Sequence, residues 1–246
     1  MKYPTKFAGA LAFVVSTSLG AQPLETQDAI GADPHVALVD AMMSPEGLAV
    51  ASTNSIAEIR KAYEADADLV EMDAECPGTI DLLMSTATPF FYEYDRIEAE
   101  LRREAMVEIL REEMSDEHAR AASDFYSSEI GQKLTMAVMN NYSIESTLNA
   151  AMQSDEDEFE VDPEDVASDN RRSAVAAALT LSPEEKASIE AQLRGRDWFA
   201  ALLKARPKMF ARGMEIANSD FAPHLDRQID AAVDTALTAH LDDCGY

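Results

Sequence analysis

Apolar residues recur along this chain at the three- and four-residue spacings of a helical face rather than in the alternation of a strand. Ile97, Leu101, Ala105 and Ile109 form one stripe, Ile130, Leu134 and Val138 a second, and Leu225, Ile229, Val233, Leu237 and Leu241 a third. Such stripes gain most of their stability by packing on one another, so the pattern predicts an all-α bundle of amphipathic helices and helical hairpins. Scarce glycine and abundant alanine agree with that.

Prolines mark where helices should begin. Asp33-Pro34, Ser44-Pro45, Thr88-Pro89, Asp162-Pro163 and Ser182-Pro183 each read as an N-cap followed by the first helical residue. Proline suits that place because its missing N–H has no intrahelical partner, while the preceding side-chain oxygen accepts a bond from a free amide. At Ser182 the box is completed by Glu185. Asp66 and Asp68, two residues apart, read as solvated charge on one helix, and the helix bearing Met209, Phe210 and Met214 should break near Pro207.

The first residues have the zones of a secretory signal: Lys2 and Lys6, an apolar run from Phe7 to about Leu19, then Gly20 and Ala21. That run is shorter than the roughly 20 residues that span a bilayer, and no later segment is apolar for so long, so no transmembrane segment is expected in the mature chain. Removing residues 1–21 takes two lysines and moves the net charge from −26 to −28. So acidic a surface repels phosphate backbones and anionic membranes, which excludes nucleic acid as a partner class. Cys76 and Cys244 are the only cysteines, and in an exported chain they are expected to pair.

Nine acids and no base lie between Gln153 and Asp169. Like charges at that density repel, so 153–169 reads as an acidic linker, exposed in its first half, between an N-terminal helical unit, 22–152, and a C-terminal one, 170–246. Asp155, Asp157 and Phe159 fail the calcium-loop pattern, which needs a third ligand and a glycine at the turn.

The densest local signal is Ser115 to Leu134, S-D-E-H-A-R-A-A-S-D-F-Y-S-S-E-I-G-Q-K-L. Ser115 caps a helix with Asp116 and Glu117 in its first turn, Phe125 and Tyr126 close it, and Ser128 caps the next helix. Gly131 then falls in a first turn, where glycine costs about 1 kcal/mol, so it should permit close approach of a neighbouring backbone. A fainter copy follows, with Met114-Ser115-Asp116-Glu117 aligned on Leu181-Ser182-Pro183-Glu184, Leu134 on Leu202 and Tyr142 on Phe210.

F-Y-S-S-E-I-G-Q-K at Phe125 to Lys133 resembles the bacterial domain-of-unknown-function family 2059, whose pattern runs approximately F-Y-x-S-P-x-G-Q-K. The resemblance covers roughly Glu104 to Met152. Glu129 stands where that family usually has proline, and the second copy keeps neither the Phe-Tyr pair nor the glycine. It implies a helical module of exported bacterial proteins and transfers no catalytic residue; Phe125, Tyr126, Ser128, Gly131, Gln132 and Lys133 form a structural motif.

Chemistry has little support in the pattern. There is no G-x-S-x-G elbow, and His35, His118, His224 and His240 show no paired zinc-ligand spacing, so no catalytic, metal or cofactor residue is assigned. Each histidine reads as a surface or cap residue, His240 as a cation near Asp243 at a helix end, and Trp198 as a core anchor. The expected function is a periplasmic or secreted, non-enzymatic protein that binds another envelope protein. A carrier of a small apolar ligand, drawing on Met209, Phe210 and Met214, is the alternative, and a hydrolase of an envelope polymer is third.

Overall fold

A 35-residue helix, Thr79–Glu113, about 52 Å long at 1.5 Å per residue, is the spine of the molecule. The computed structural model describes residues 33–154 and 159–245, in which every regular element is an α-helix. The expected signal segment and the Asp155–Asp157 pair lie outside the described residues. In chain order the helices are α1 (Pro34–Met42), α2 (Pro45–Ala65), α3 (Ala67–Glu75), α4 (Thr79–Glu113), α5 (Asp116–Ser127), α6 (Glu129–Asn140), α7 (Glu145–Gln153), α8 (Pro163–Thr180), α9 (Pro183–Leu193), α10 (Asp197–Ala217) and α11 (Pro223–Cys244).

Short polar side chains start many of them. Asp33, Ser44, Asp162 and Ser182 accept bonds from the amides of His35, Gly47, Glu164 and Glu185, each with proline at the helix start. The box at Ser182 closes both ways: Glu185 N–H donates to Ser182 Oγ at 3.2 Å and Ser182 N–H to Glu185 Oε2 at 2.9 Å. Thr88-Pro89 departs from the expectation and lies inside α4. An interior proline costs about 3 kcal/mol, whereas burying the adjacent Met84 and Phe91 returns about 1.5–3 kcal/mol each, so packing carries the helix through. Pro207 likewise leaves α10 unbroken, with Leu202 and Ala205 buried before it and Met214 and Ile216 after it. Asp66 and Asp68 do not share a helix interior, because Asp66 ends α2 and caps α3, accepting from Leu69 N–H at 2.9 Å.

The spine carries one core at each end. Toward its start, Leu83, Met84 and Phe91 pack with Ile59 of α2, Leu148 of α7, and Ile229, Val233 and Leu237 of α11. Toward its finish, Ala99, Val107 and Leu110 pack with Leu38 of α1, Phe125 of α5, and Trp198 and Leu202 of α10. Both cores therefore mix residues from 22–152 and 170–246, so the packing does not follow the expected division into two units. The second half of the acidic segment is the first turns of α8, which starts at Asp162-Pro163 as its cap predicts. Val166 is buried with Met214 and Ala217, and buried Asp169 accepts from Ser146 N–H at 2.7 Å, Thr147 N–H at 3.0 Å and Thr147 Oγ1 at 2.9 Å. A buried carboxylate is stable there because it satisfies the free amides at the positive end of α7.

Cys76, at the end of α3, is bonded to Cys244, at the end of α11, with Cα atoms 5.7 Å apart. The bridge spans 168 residues and contributes about 2–4 kcal/mol, chiefly by restricting the unfolded chain.

Candidate functional site

The F-Y-S-S-E-I-G-Q-K segment is the joint between α5 and α6, and its side chains are committed to holding that joint closed. The Ser128 hydroxyl donates to the Phe125 carbonyl at 2.6 Å and accepts from Gly131 N–H at 3.2 Å, so one residue ends α5 and starts α6. A Cβ at Gly131 would stand 2.0 Å from the Phe125 carbonyl oxygen and 2.8 Å from Tyr126 Cα. Only glycine lets the two backbones meet this closely. The Phe125 ring lies edge-on to Tyr126 with centroids 5.2 Å apart and 5.5 Å from Trp198, which seats the joint on α10. Burial pushes the Tyr126 hydroxyl above its usual range.

Gln132 and Lys133 point outward. Lys133 Nζ lies 3.2 Å from Glu129 and 3.4 Å from Glu185, and Glu129 first, then Glu185, hold its ammonium above the ordinary lysine range. Through Glu185 the motif touches the capping box of its fainter copy. That copy forms a second hairpin, α9 and α10, in which Arg194, Gly195 and Arg196 make the turn, with Gly195 at φ 69°.

Three features elsewhere have functional character. First, Asp95, Glu98 and Arg102 form a charged waist on the buried side of α4, between its two cores. Arg102 Nε and Nη2 donate to Glu98 Oε1 at 2.6 and 2.5 Å, and Nη2 donates to the Gly213 carbonyl at 3.0 Å. Burial pushes the Glu98 carboxyl up to about 8, with Arg102 opposing. Periodicity missed this group because a Glu-x-x-x-Arg pair has the same spacing as a surface ion pair.

Second, a cavity of about 240 Å³ opens between α1, α4, α6 and α10, lined by Met42, Met43, Met106, Met139 and Met209, with Arg102 at its edge. Phe210 and Met214 pack instead with Val161 and Val166. Third, the outer face of α8 exposes Ala174, Val175, Ala178 and Leu179, with Val175 63% and Leu179 79% exposed. The opposite face holds buried Val166, Ser173 and Ala177.

The histidines differ from expectation at two places. His35 is buried rather than superficial, its Nε2 3.0 Å from the Met114 carbonyl, because α1 lies across the end of the spine. His240 is packed beside the disulfide, where its Nε2 is buried. His224 is exposed and His118 half-buried, and Trp198 anchors the core.

These features define an all-α bundle. No helix among the described residues is long and apolar enough to cross a membrane. Residues 103–154 match the model of a family described as an uncharacterized protein conserved in bacteria (DUF2059). The match runs from the last third of the spine through α5, α6 and α7, and so contains the Ser128 joint. Neither a curated protein nor a solved structure matches the chain.

Proposed function

We propose that this chain is an exported bacterial protein that performs no chemistry of its own and binds another protein of the cell envelope through the outer face of α8. The apolar face at Ala174, Val175, Ala178 and Leu179 carries this reading. Single exposed apolar residues are ordinary, but a contiguous set one turn apart on a braced helix is an anchor for a partner's groove or helix. The chain's net charge of −26 discourages indiscriminate apolar contact and narrows the choice of partner. Export is supported by the sequence of residues 1–21.

Burying Val175 and Leu179 supplies about 1.5–3 kcal/mol each. Capture from an envelope extract by the mature protein should therefore enrich a partner that a Leu179→Glu variant recovers at least about tenfold less well, the equivalent of 1.4 kcal/mol. Enrichment no greater than that by an equally acidic control protein, or undiminished by Leu179→Glu, would sink this reading.

The methionine-lined cavity favours a second reading, a carrier of a small apolar ligand. Native mass spectrometry separates the two: a carrier retains ligand mass, and a Met106→Trp variant that fills the cavity loses it.

A further inference from the structure

The disulfide has a histidine packed against it. His240 and Cys244 are four residues apart on α11 and so project from one face of the helix, one turn above the other. Cys76 meets them from the joint between α3 and α4, and the two sulfurs and a ring nitrogen of His240 lie within 4.8 Å of one another. Gly78, at φ 95°, turns the chain beside the imidazole; a Cβ there would stand 3.9 Å from His240 Cε1. His240 Nε2 is buried without a hydrogen-bond partner in the structure. A buried polar atom in that condition calls for a partner that the oxidised site does not supply.

We propose that this corner is a thiol–metal switch, in which the reduced pair Cys76 and Cys244 joins His240 to bind one Zn²⁺. Two sulfurs and one imidazole make a three-ligand set for tetrahedral zinc, with water in the fourth position. Bond lengths of about 2.3 Å to sulfur place tetrahedral sulfurs about 3.8 Å apart. The sulfurs must therefore separate on reduction, and the 5.7 Å between the two Cα atoms accommodates this by side-chain rotation. Exposed Asp242 and Asp243 beside Cys244 add negative potential that attracts the cation.

Reduction requires a dithiol. Cys244 is exposed and Cys76 fully buried, so the attacking thiolate reaches the Cys244 sulfur and Cys76 leaves. The dithiol's second thiol then displaces Cys244, so the dithiol ends as a disulfide. Two electrons and two protons pass to the cysteines. Zn²⁺ binding then releases those two protons as two Zn–S bonds form. Oxidised, the corner is a covalent staple; reduced, it is held by the metal instead.

The test uses the full mature chain, reduced anaerobically with dithiothreitol and desalted, then titrated with Zn²⁺ by calorimetry and with Co²⁺ by absorption. We expect one equivalent bound by the reduced chain with a thiolate-to-cobalt band, and none by the oxidised chain. His240→Ala should weaken binding by more than the roughly 10–100-fold cost of losing an outer-shell partner. Zn²⁺ should also raise the thermal midpoint of the reduced wild type and leave that of reduced His240→Ala unchanged, which guards against reading an unfolded variant as a lost ligand. The proposal is overturned if the reduced chain binds no more Zn²⁺ than a Cys76→Ser/Cys244→Ser variant. It is equally overturned if His240→Ala binds as well as wild type, or if reduction abolishes helicity that Zn²⁺ does not restore.

Discussion

Replacing Gly131 by leucine should lower the stability of the protein by about 3 kcal/mol or more, beyond most overpacking substitutions, because the obstacle is backbone rather than a side chain that can turn away. The first carbon alone would overlap the Phe125 carbonyl oxygen, 2.0 Å from the Cβ position. Relief would require α6 to withdraw from α5, breaking the Ser128–Phe125 bond and unseating the Phe125 ring from Trp198. Denaturant unfolding measures the loss directly. A variant within 0.5 kcal/mol of wild type would mean that the joint tolerates opening, and the motif would then have to be explained by function.

The second large effect lies at the charged waist of the spine. Breaking a buried ion pair by removing one partner costs about 3–5 kcal/mol, because the remaining charge has neither water nor a counter-ion. Arg102→Met should show its larger cost at pH 9, where Glu98 is ionised in the wild type and the variant must bury a lone carboxylate or take up a proton, and a smaller one at pH 6, where Glu98 is protonated in both. The sign follows from the raised carboxyl. Its folded value of about 8 exceeds the ordinary 4.5, so the stability it contributes is fully present below about 4.5 and is lost as pH rises through 8. Wild-type unfolding free energy should accordingly fall between pH 6 and pH 9, and a Glu98→Gln variant should lack that component. Equal losses for Arg102→Met at both pH values, or an unchanged slope in Glu98→Gln, would show that Glu98 does not titrate between those pH values.

Much of the architecture could be read from local chemistry. Short oxygen-bearing side chains before proline located the starts of α1, α2, α8 and α9, since capping depends on neighbours within four residues. The stripe Leu225, Ile229, Val233 and Leu237 is buried as its spacing requires. The stripe Ile97, Leu101 and Ile109 is only half-buried, because the same helix also turns Asp95 and Glu98 inward. Apolar periodicity cannot register a buried charge whose partner, Arg102, has the i,i+4 spacing of the exposed Arg96–Glu100 pair.

Proline was misleading where tertiary burial outweighed its local cost, at Pro89 and Pro207. The acidic segment misled for a related reason, since Asp169 looks like one more repelling charge until α7 offers its amides from 22 and 23 residues away. His240 is the most distant case. Its sequence neighbour Asp243 suggested a helix-end cation, whereas Cys76, 164 residues earlier, is what it touches. The outer face of α8 is not legible in A-V-A-A-A-L-T-L from Ala174, because a run that is apolar on every side does not distinguish the buried face from the exposed one.

Binding through that face is the central claim, and site-specific photo-crosslinking in living cells tests it most directly. A photoreactive residue at position 179 should yield one discrete adduct in the envelope fraction, while the same residue at exposed Gln132, in the structural motif, yields none. No adduct from position 179, or the same adducts from both positions, would contradict the account.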